Sequence, residues 1–163
     1  MHFEVQHELS GSPTAVAAIL CDPAFHEGLE LPDVSAPEVI EHSTNGDSCV
    51  CKLRYEFTGH LDPIAQKVVA GKKLEWNQDL TLDCERGSGT LEFSASVDPK
   101  RLNGQATIAL DPLDGTRTRL TIAGDLHVRI PLLGGRAEKA IVPGIVRRLE
   151  VEADGIEAAL ERS

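Results

Sequence analysis

Residues 129–141 read RIPLLGGRAEKAI, and this stretch marks the change from strand to helix that decides the fold. Before it, inward-facing residues alternate with outward-facing ones, as in a strand. The inward set is Leu120, Ile122, Gly124, Leu126, Val128 and Ile130. After it, apolar residues recur every three or four positions, as on one face of a helix. This second set is Ala137, Ile141, Ile145, Leu149, Ala153, Ile156 and Leu160. The Gly134-Gly135 pair turns the chain, so that a long C-terminal helix can lie on a sheet.

The chain before this corner consists mainly of alternating segments that predict β-strands. Residues 2–9 form the first strand. A short helix follows, with Ser12 as its N-cap and Pro13 at its first position. Asp22-Pro23 ends this helix, and the next residues, AFHEGL, predict a second short one. Asn45-Gly46-Asp47 predicts a hairpin between the next two strands. Residues 61–71 form a short helical or irregular crossing before four further strands. In the second of these four, Leu91, Phe93, Ala95 and Val97 are expected to face inward, and DPLDG at 111–115 predicts the loop of the last hairpin. The predicted order is therefore one strand, two short helices, six strands and one long helix.

This order predicts an α+β protein with a helix-grip architecture in a single domain, 1–163. A curved seven-stranded antiparallel sheet would carry two short helices after strand 1 and the long C-terminal helix over its concave face. Pro143-Gly144 interrupts that helix and predicts a kink, because proline removes a backbone hydrogen bond and clashes with the preceding turn. A twisted sheet of this width curls. One helix cannot fill its whole concave face, so we expect a cavity between the two layers.

Composition and charge exclude several classes of partner. The formal net charge is −10, which is unsuited to nucleic acid and to anionic membrane surfaces. No apolar run approaches the roughly 18 residues needed to span a bilayer, and the first ten residues lack a signal-peptide pattern. We therefore expect a cytoplasmic protein without membrane insertion.

The cysteine spacing suggests neither a disulfide framework nor a metal site, and the familiar catalytic motifs are absent from the sequence. The four cysteines are Cys21, Cys49, Cys51 and Cys84. In the absence of a secretion signal, we expect all four to be reduced, small core residues. The sequence contains no phosphate-binding glycine loop, no nucleophile elbow and no Cys/His spacing typical of metal ligands. We assign no catalytic residue, no cofactor and no metal.

The order of elements resembles the helix-grip fold of the START-like superfamily, which includes polyketide cyclases, lipid-transfer domains and the birch-pollen allergen family. Within that group, the chain is most similar to an uncharacterised bacterial family of about this length. The likeness rests on FEVQHELSGSPTAVAAILCDPAF, LPDV, YEFTGHL and above all GDLHVRIPLLGGRAEKAI, and it covers essentially the whole chain. The resemblance implies a deep pocket for a hydrophobic or aromatic small molecule, and it does not imply a reaction.

The candidate ligand-binding residues combine apolar wall positions with the few polar side chains on inward faces. They are Tyr55, Phe57, Trp76, Gln78, Phe93, His7, Arg136, Ile141 and Ile145. A buried polar group requires a partner, and in a cavity a ligand can be that partner. Arg136 differs, because it lies in the first turn of the long helix, where free N–H groups attract anions. It is either a solvated base or a contact for the acidic end of a ligand.

These expectations favour a module that binds a hydrophobic or amphipathic small molecule, of lipid, polyketide or aromatic type, between the sheet and the C-terminal helix. Two alternatives stay open. One is a cyclase-, aromatase- or hydrolase-like enzyme that uses the same cavity. The other is a co-chaperone or assembly factor, which would need an exposed apolar patch. The sequence leaves the ligand and the oligomeric state open.

Overall fold

The computed structural model describes residues 1–163 apart from the side chain of Val68. Within this described part, seven strands and four helices follow one another along the chain. They are β1 (His2–Leu9), α1 (Pro13–Leu20), α2 (Pro23–Gly28), β2 (Glu38–Asn45), β3 (Ser48–Glu56), α3 (Pro63–Val69), β4 (Glu75–Asp83), β5 (Ser88–Ala95), β6 (Leu102–Asp114), β7 (Arg117–Val128) and α4 (Gly134–Glu161). The predicted α+β order is confirmed, and the crossing before β4 forms the helix α3.

The strands form one antiparallel sheet in the order β1-β7-β6-β5-β4-β3-β2. The first strand of the chain therefore pairs with the last strand, and β2 lies at the opposite edge. The concave face of the sheet carries the apolar core, over which α1 and α4 pack. Among the described residues, none of the helices is long and apolar enough to cross a membrane.

Local sequence signals explain where several elements begin and turn. The Ser12 side chain accepts a hydrogen bond from the Ala15 amide at 3.2 Å, and Pro13 occupies the first turn of α1, as predicted. Gly46 has a φ of 63° in the turn between β2 and β3, where glycine carries no steric penalty. The hairpin predicted at this position is confirmed by the pairing of Asn45 with Ser48.

Two predictions about the strands need correction. The loop expected at residues 111–115 is mostly strand, because β6 continues to Asp114 past a bulge. Pro112 is compatible with this strand because pairing with β5 has already ended at Ala109, so the missing N–H breaks no bond on that side. Val97 was expected to face inward, but it lies beyond the end of β5 and is 56% exposed.

The expectation that all four cysteines are reduced is wrong for two of them. Cys21, at the C-terminal cap of α1, and Cys49, near the start of β3, form a disulfide. Cys51 and Cys84 are free thiols. The pair was not predictable from spacing, because Cys49 lies 28 positions after Cys21 and only the fold brings the end of α1 beside the start of β3.

The long helix α4 runs from Gly134 to Glu161 and includes Pro143 in its interior. The predicted stripe contributes four fully buried residues, Ala137, Leu149, Ala153 and Ile156. Val142, Arg148 and Glu152 are buried as well. The predicted apolar face is therefore present, but two charged residues share it. The kink at Pro143 stays a prediction.

Candidate ligand-binding site

A cavity of about 520 Å³ lies between α4 and one end of the sheet. Its floor is formed by side chains of the sheet, including Trp76 of β4 and Phe93 of β5. Its roof is the segment of α4 around Pro143, with Ile141 and Ile145 facing the space. Loops near residues 32–34 and 57–62 form the mouth together with α3. The walls are mainly aromatic and aliphatic, as is usual for sites that bind small organic molecules.

Strand register determines which aromatic rings reach the floor. Tyr55 of β3 lies directly opposite Trp76 of β4, and their rings stack with centroids 5.4 Å apart and an interplanar angle of 18°. Gln78 lies two residues further along β4, opposite Phe93 of β5. Residues two apart on a strand point to the same face, so all four side chains face the inner side of the sheet. The aromatic floor therefore contains two polar groups, a phenol and a carboxamide.

Arg148 brings a positive charge into this apolar space. The residue is 5% exposed, and its guanidinium carbon lies 5.6 Å from the Tyr55 ring centroid and 5.7 Å from that of Phe93. Both rings are within the range of cation–π attraction. Arg148 Nη1 donates to the Glu152 carboxylate at 3.4 Å, one helical turn further along α4. Arg148 Nη2 has no hydrogen-bond partner within described residues 1–163.

Two buried polar atoms beside the cavity wall also lack a hydrogen-bond partner among the described residues, the Tyr55 hydroxyl and Gln78 Oε1. A buried polar atom without a partner costs about 1–3 kcal/mol, so each is available to a bound ligand or water. Burial raises the pKa of Tyr55, and the nearby Glu152 carboxylate raises it further, against the opposing effect of Arg148. Tyr55 is therefore a neutral phenol at physiological pH, suited to donating a hydrogen bond.

An ion pair crosses the mouth of the cavity. Arg147 Nη2 lies 3.7 Å from Asp33 Oδ2, and both side chains are more than half exposed. Asp33 has a φ of 58°, and its carbonyl accepts a hydrogen bond from the Thr58 amide at 2.8 Å. A bridge between Val34 and Phe57 joins the two mouth loops. Exposed ion pairs contribute little to stability. The Arg147–Asp33 pair therefore lies where the loop meets α4, but it does not hold the mouth of the cavity closed.

The structure brings most of the predicted ligand-binding residues together, but not all. Five of them line the cavity, namely Phe57, Trp76, Phe93, Ile141 and Ile145. Tyr55 and Gln78 are buried on the same face of the sheet, beside this wall. His7 lies in β1, opposite Leu120, at the far edge of the sheet. Arg136 is exposed in the first turn of α4 and is not among the described lining residues.

Sequence reasoning missed Arg148 and Glu152, the charged pair under α4. The signal available was two opposite charges spaced by four residues, beside the predicted apolar stripe. Such pairs are also common on the exposed side of helices, where they stabilise by only about 0.2–0.5 kcal/mol. Only the rotation of α4 on the sheet shows that this pair faces inward.

Comparison with protein families identifies the chain. Residues 4–160 match the family described as "Protein of unknown function (DUF2505)". The chain belongs to the DUF2505 family. The expected resemblance to an uncharacterised family within the START-like superfamily is confirmed. Comparison with curated proteins finds no match.

Solved structures share the DUF2505 chain's fold at low sequence identity. The Zhui aromatase/cyclase from Streptomyces sp. R1128 has a TM-score of 0.70 at 17% identity, over 99% of this chain and 94% of that one. Norcoclaurine synthase from Thalictrum flavum has a TM-score of 0.62 at 14% identity, over 100% and 87%. A START superfamily protein from Mycobacterium smegmatis has a TM-score of 0.57 at 13% identity, over 99% and 97%. These similarities establish a START-like helix-grip fold.

Proposed function

We propose that this DUF2505 protein binds an amphipathic small molecule in the cavity between the sheet and α4. The apolar body of the ligand would occupy the space between Trp76, Phe93 and Ile145, and an anionic group such as a carboxylate would reach Arg148. The observation that carries this proposal is a buried arginine at an apolar cavity wall, with one nitrogen lacking a partner among the described residues.

Approximate free energies of binding show that the polar end of the ligand determines affinity and selectivity. Burying roughly 300 Å² of apolar ligand at about 25 cal/mol per Å² stabilises the complex by roughly 7 kcal/mol. Association itself costs about 4 kcal/mol or more, so apolar contact alone produces weak and unselective binding. A hydrogen bond to a charged group adds about 1.5–3 kcal/mol. This increment corresponds to a preference of about 10- to 100-fold for a carboxylate over a neutral analogue.

The protonation of Tyr55 and the pairing of Glu152 favour binding over catalysis. The raised pKa of Tyr55 keeps its proton on the phenol, so the side chain orients a ligand by donating rather than acting as a base. Glu152 is engaged with Arg148. The START-like neighbours include enzymes by name, but below 25% identity their likeness concerns the fold alone.

The test uses Trp76, the sole tryptophan of the chain, as a fluorescent reporter in the cavity wall. Wild-type protein is titrated with dodecanoate and with dodecanol, while native mass spectrometry looks for a molecule that co-purifies from the source organism. We expect dodecanoate to bind about 10- to 100-fold more tightly than dodecanol, because only the carboxylate reaches Arg148 as an anion. Absence of both probe binding and a co-purifying molecule would remove the proposal.

Two variants separate anion recognition from general changes in the cavity. The Arg148→Met/Glu152→Met double variant removes both charges together and is expected to bind the two probes with similar affinity. Arg136→Gln removes an exposed charge from the same helix and should keep the wild-type preference. A double variant that still prefers dodecanoate would show that Arg148 does not recognise the ligand's charge.

A further inference from the structure

Three cysteines from distant parts of the chain converge at the end of the sheet opposite the cavity. Cys21 caps α1, Cys49 lies near the start of β3 and Cys84 follows the last residue of β4. Their sulfur atoms all lie within 4.8 Å of one another. Tyr55 lies six positions after Cys49 in β3, which corresponds to about 20 Å along the strand. The cluster is therefore separate from the proposed ligand site.

The sheet determines the position of two of these sulfurs. Cys49 pairs in register with Leu82, and the Cys84 amide donates to the Asp47 carbonyl at 2.7 Å. This hydrogen bond ties the chain after β4 to the turn before β3, so the two cysteines stay side by side. The C-terminal end of α1 then brings Cys21 against both of them.

The spacing of the sulfurs suits a tetrahedral metal ion. Zinc–sulfur bonds of about 2.3 Å at tetrahedral angles place neighbouring sulfurs about 3.8 Å apart. Cys21 Sγ and Cys84 Sγ are 3.8 Å apart, and Cys49 Sγ is bonded to Cys21 Sγ in the disulfide. Breaking the disulfide would let Cys49 move away to the same separation. A water molecule can fill the fourth position, as in open zinc sites.

The local charge also suits a cation. Asp22 directly follows Cys21, and Asp83 directly precedes Cys84. Arg86 Nε lies 3.8 Å from Asp83 Oδ2, and the Arg86 side chain is 82% exposed, so its charge is largely solvated. Thiolates are the ligands that soft and borderline cations such as Zn²⁺ prefer.

We propose that, in the reduced protein, Cys21, Cys49 and Cys84 bind one Zn²⁺ ion or a similar thiophilic cation, and that the Cys21–Cys49 disulfide closes this site. A dithiol reductant opens it: the bond between Cys21 and Cys49 breaks, each sulfur takes up a proton, and the dithiol becomes a disulfide. Binding of Zn²⁺ then releases the three thiol protons and forms three zinc–sulfur bonds.

The experiment starts with the whole protein reduced by a dithiol, which is removed by gel filtration under anaerobic conditions because it binds zinc itself. Zn²⁺ is titrated against a chromogenic chelator, and Co²⁺ is added in parallel as a spectroscopic probe. We expect one ion per chain, with the visible absorption of tetrahedral Co²⁺ and a sulfur-to-metal charge-transfer band. The disulfide-bonded protein should show neither signal, since two of its three ligands are occupied.

Cys84→Ser tests the cluster, and Cys51→Ala is the matched control because Cys51 is a buried free thiol on the same face of β3. We expect Cys84→Ser to weaken zinc binding by about 100-fold or more, since loss of a direct ligand exceeds the 10- to 100-fold effect of outer-shell changes. Cys51→Ala should retain the wild-type affinity. Equal losses in both variants, with folding verified by circular dichroism, would overturn the proposal.

Stability of the reduced protein offers a second readout. Since an ion that binds only the folded state stabilises it, Zn²⁺ should raise the melting temperature of the reduced wild type and leave that of reduced Cys84→Ser unchanged. If the reduced wild type unfolds, recovery of its circular dichroism spectrum on adding Zn²⁺ would support the site. Failure to recover would refute it.

Discussion

At the scale of the residue, the unusual feature of this protein is the charged pair Arg148 and Glu152, whose side chains are each 6% exposed. Transfer of two charges from water into an apolar interior is unfavourable, and their attraction offsets this only in part. The single 3.4 Å contact leaves the guanidinium incompletely satisfied by the described residues. We therefore attribute the pair to the proposed recognition of a ligand, since its net contribution to stability is small.

This explanation predicts a particular pattern of stability. Arg148→Met leaves the Glu152 carboxylate buried without its partner and should lower the free energy of unfolding by about 3–5 kcal/mol. The Arg148→Met/Glu152→Met double variant should be less destabilised than that single variant, because no uncompensated charge remains. Urea unfolding followed by circular dichroism measures both.

Arg147→Met is the matched control, because Arg147 is the neighbouring arginine and its pair with Asp33 is exposed. Its loss should change the free energy of unfolding by about 1 kcal/mol or less. A double variant at least as unstable as Arg148→Met would contradict the account of a coupled buried pair.

At the scale of the element, α4 is attached to the sheet near both of its ends by glutamate side chains. Glu138 accepts from the Val128 amide at 3.0 Å and lies 3.2 Å from the N-terminal ammonium group. Glu157 accepts from the Ser10 amide at 2.8 Å. Hydrogen bonding from Val128 lowers the pKa of Glu138, and hydrogen bonding from Ser10 lowers that of Glu157, below the ordinary value of 4.5.

The sign of these shifts predicts loosening of α4 in acid. A carboxylate with a lowered pKa in the folded state stabilises the fold above pH 4.5, and this contribution is lost as the pH falls through the lower folded pKa. Glu157→Gln should therefore be less stable than wild type at pH 7 and should approach it at pH 3. The urea midpoint as a function of pH measures the difference.

Glu161→Gln provides the control, since Glu161 is exposed in the last turn of the same helix. Its stability difference from wild type should vary less with pH than that of Glu157→Gln. If Glu157→Gln instead keeps a constant difference from pH 7 to pH 3, the carboxylate contact with Ser10 does not stabilise the ends of α4.

At the scale of the whole molecule, the two edges of the sheet differ in how much of their surface is covered. β1 lies beside β7 and packs against α4, with Phe3, Val5 and Leu9 buried. β2 pairs with β3, and every residue from Ile40 to Asn45 is exposed. The free energy of local opening should therefore decrease across the sheet from β7 to β2.

Hydrogen exchange followed by mass spectrometry tests this gradient. We expect peptides from β2 to exchange fastest among the strands and those from β6 and β7 to exchange slowest, because β6 and β7 pair with a neighbouring strand on both sides. A ligand in the cavity should slow exchange in α3 and the mouth loop at residues 57–62, and leave β1 nearly unchanged. Uniform protection of all seven strands from exchange would contradict the predicted decrease in local stability from β7 to β2.

The order of strands and helices was predictable because it depends on neighbours in the chain. The alternation from Leu120 to Val128 and the helical stripe from Ala137 to Ile156 are properties of contiguous residues, and the Ser12-Pro13 and Asn45-Gly46 signals act within a single turn. The inward rings Phe57, Trp76 and Phe93 followed from the same alternation, because side chains on a strand have a period of two residues. The amino-acid sequence by itself therefore determined the helix-grip architecture and the apolar wall of the cavity.

Tertiary structure alone decided which polar groups share the interior. Arg148 and Glu152 face inward because of the rotation of α4 about its own axis on the sheet, which no local pattern reports. Cys21, Cys49 and Cys84 meet because the packing of α1 and the register of β3 on β4 place them together across 28 and 35 residues of chain. Contacts between distant segments depend on the relative placement of whole elements, and for this reason both proposed sites became visible only in the folded molecule.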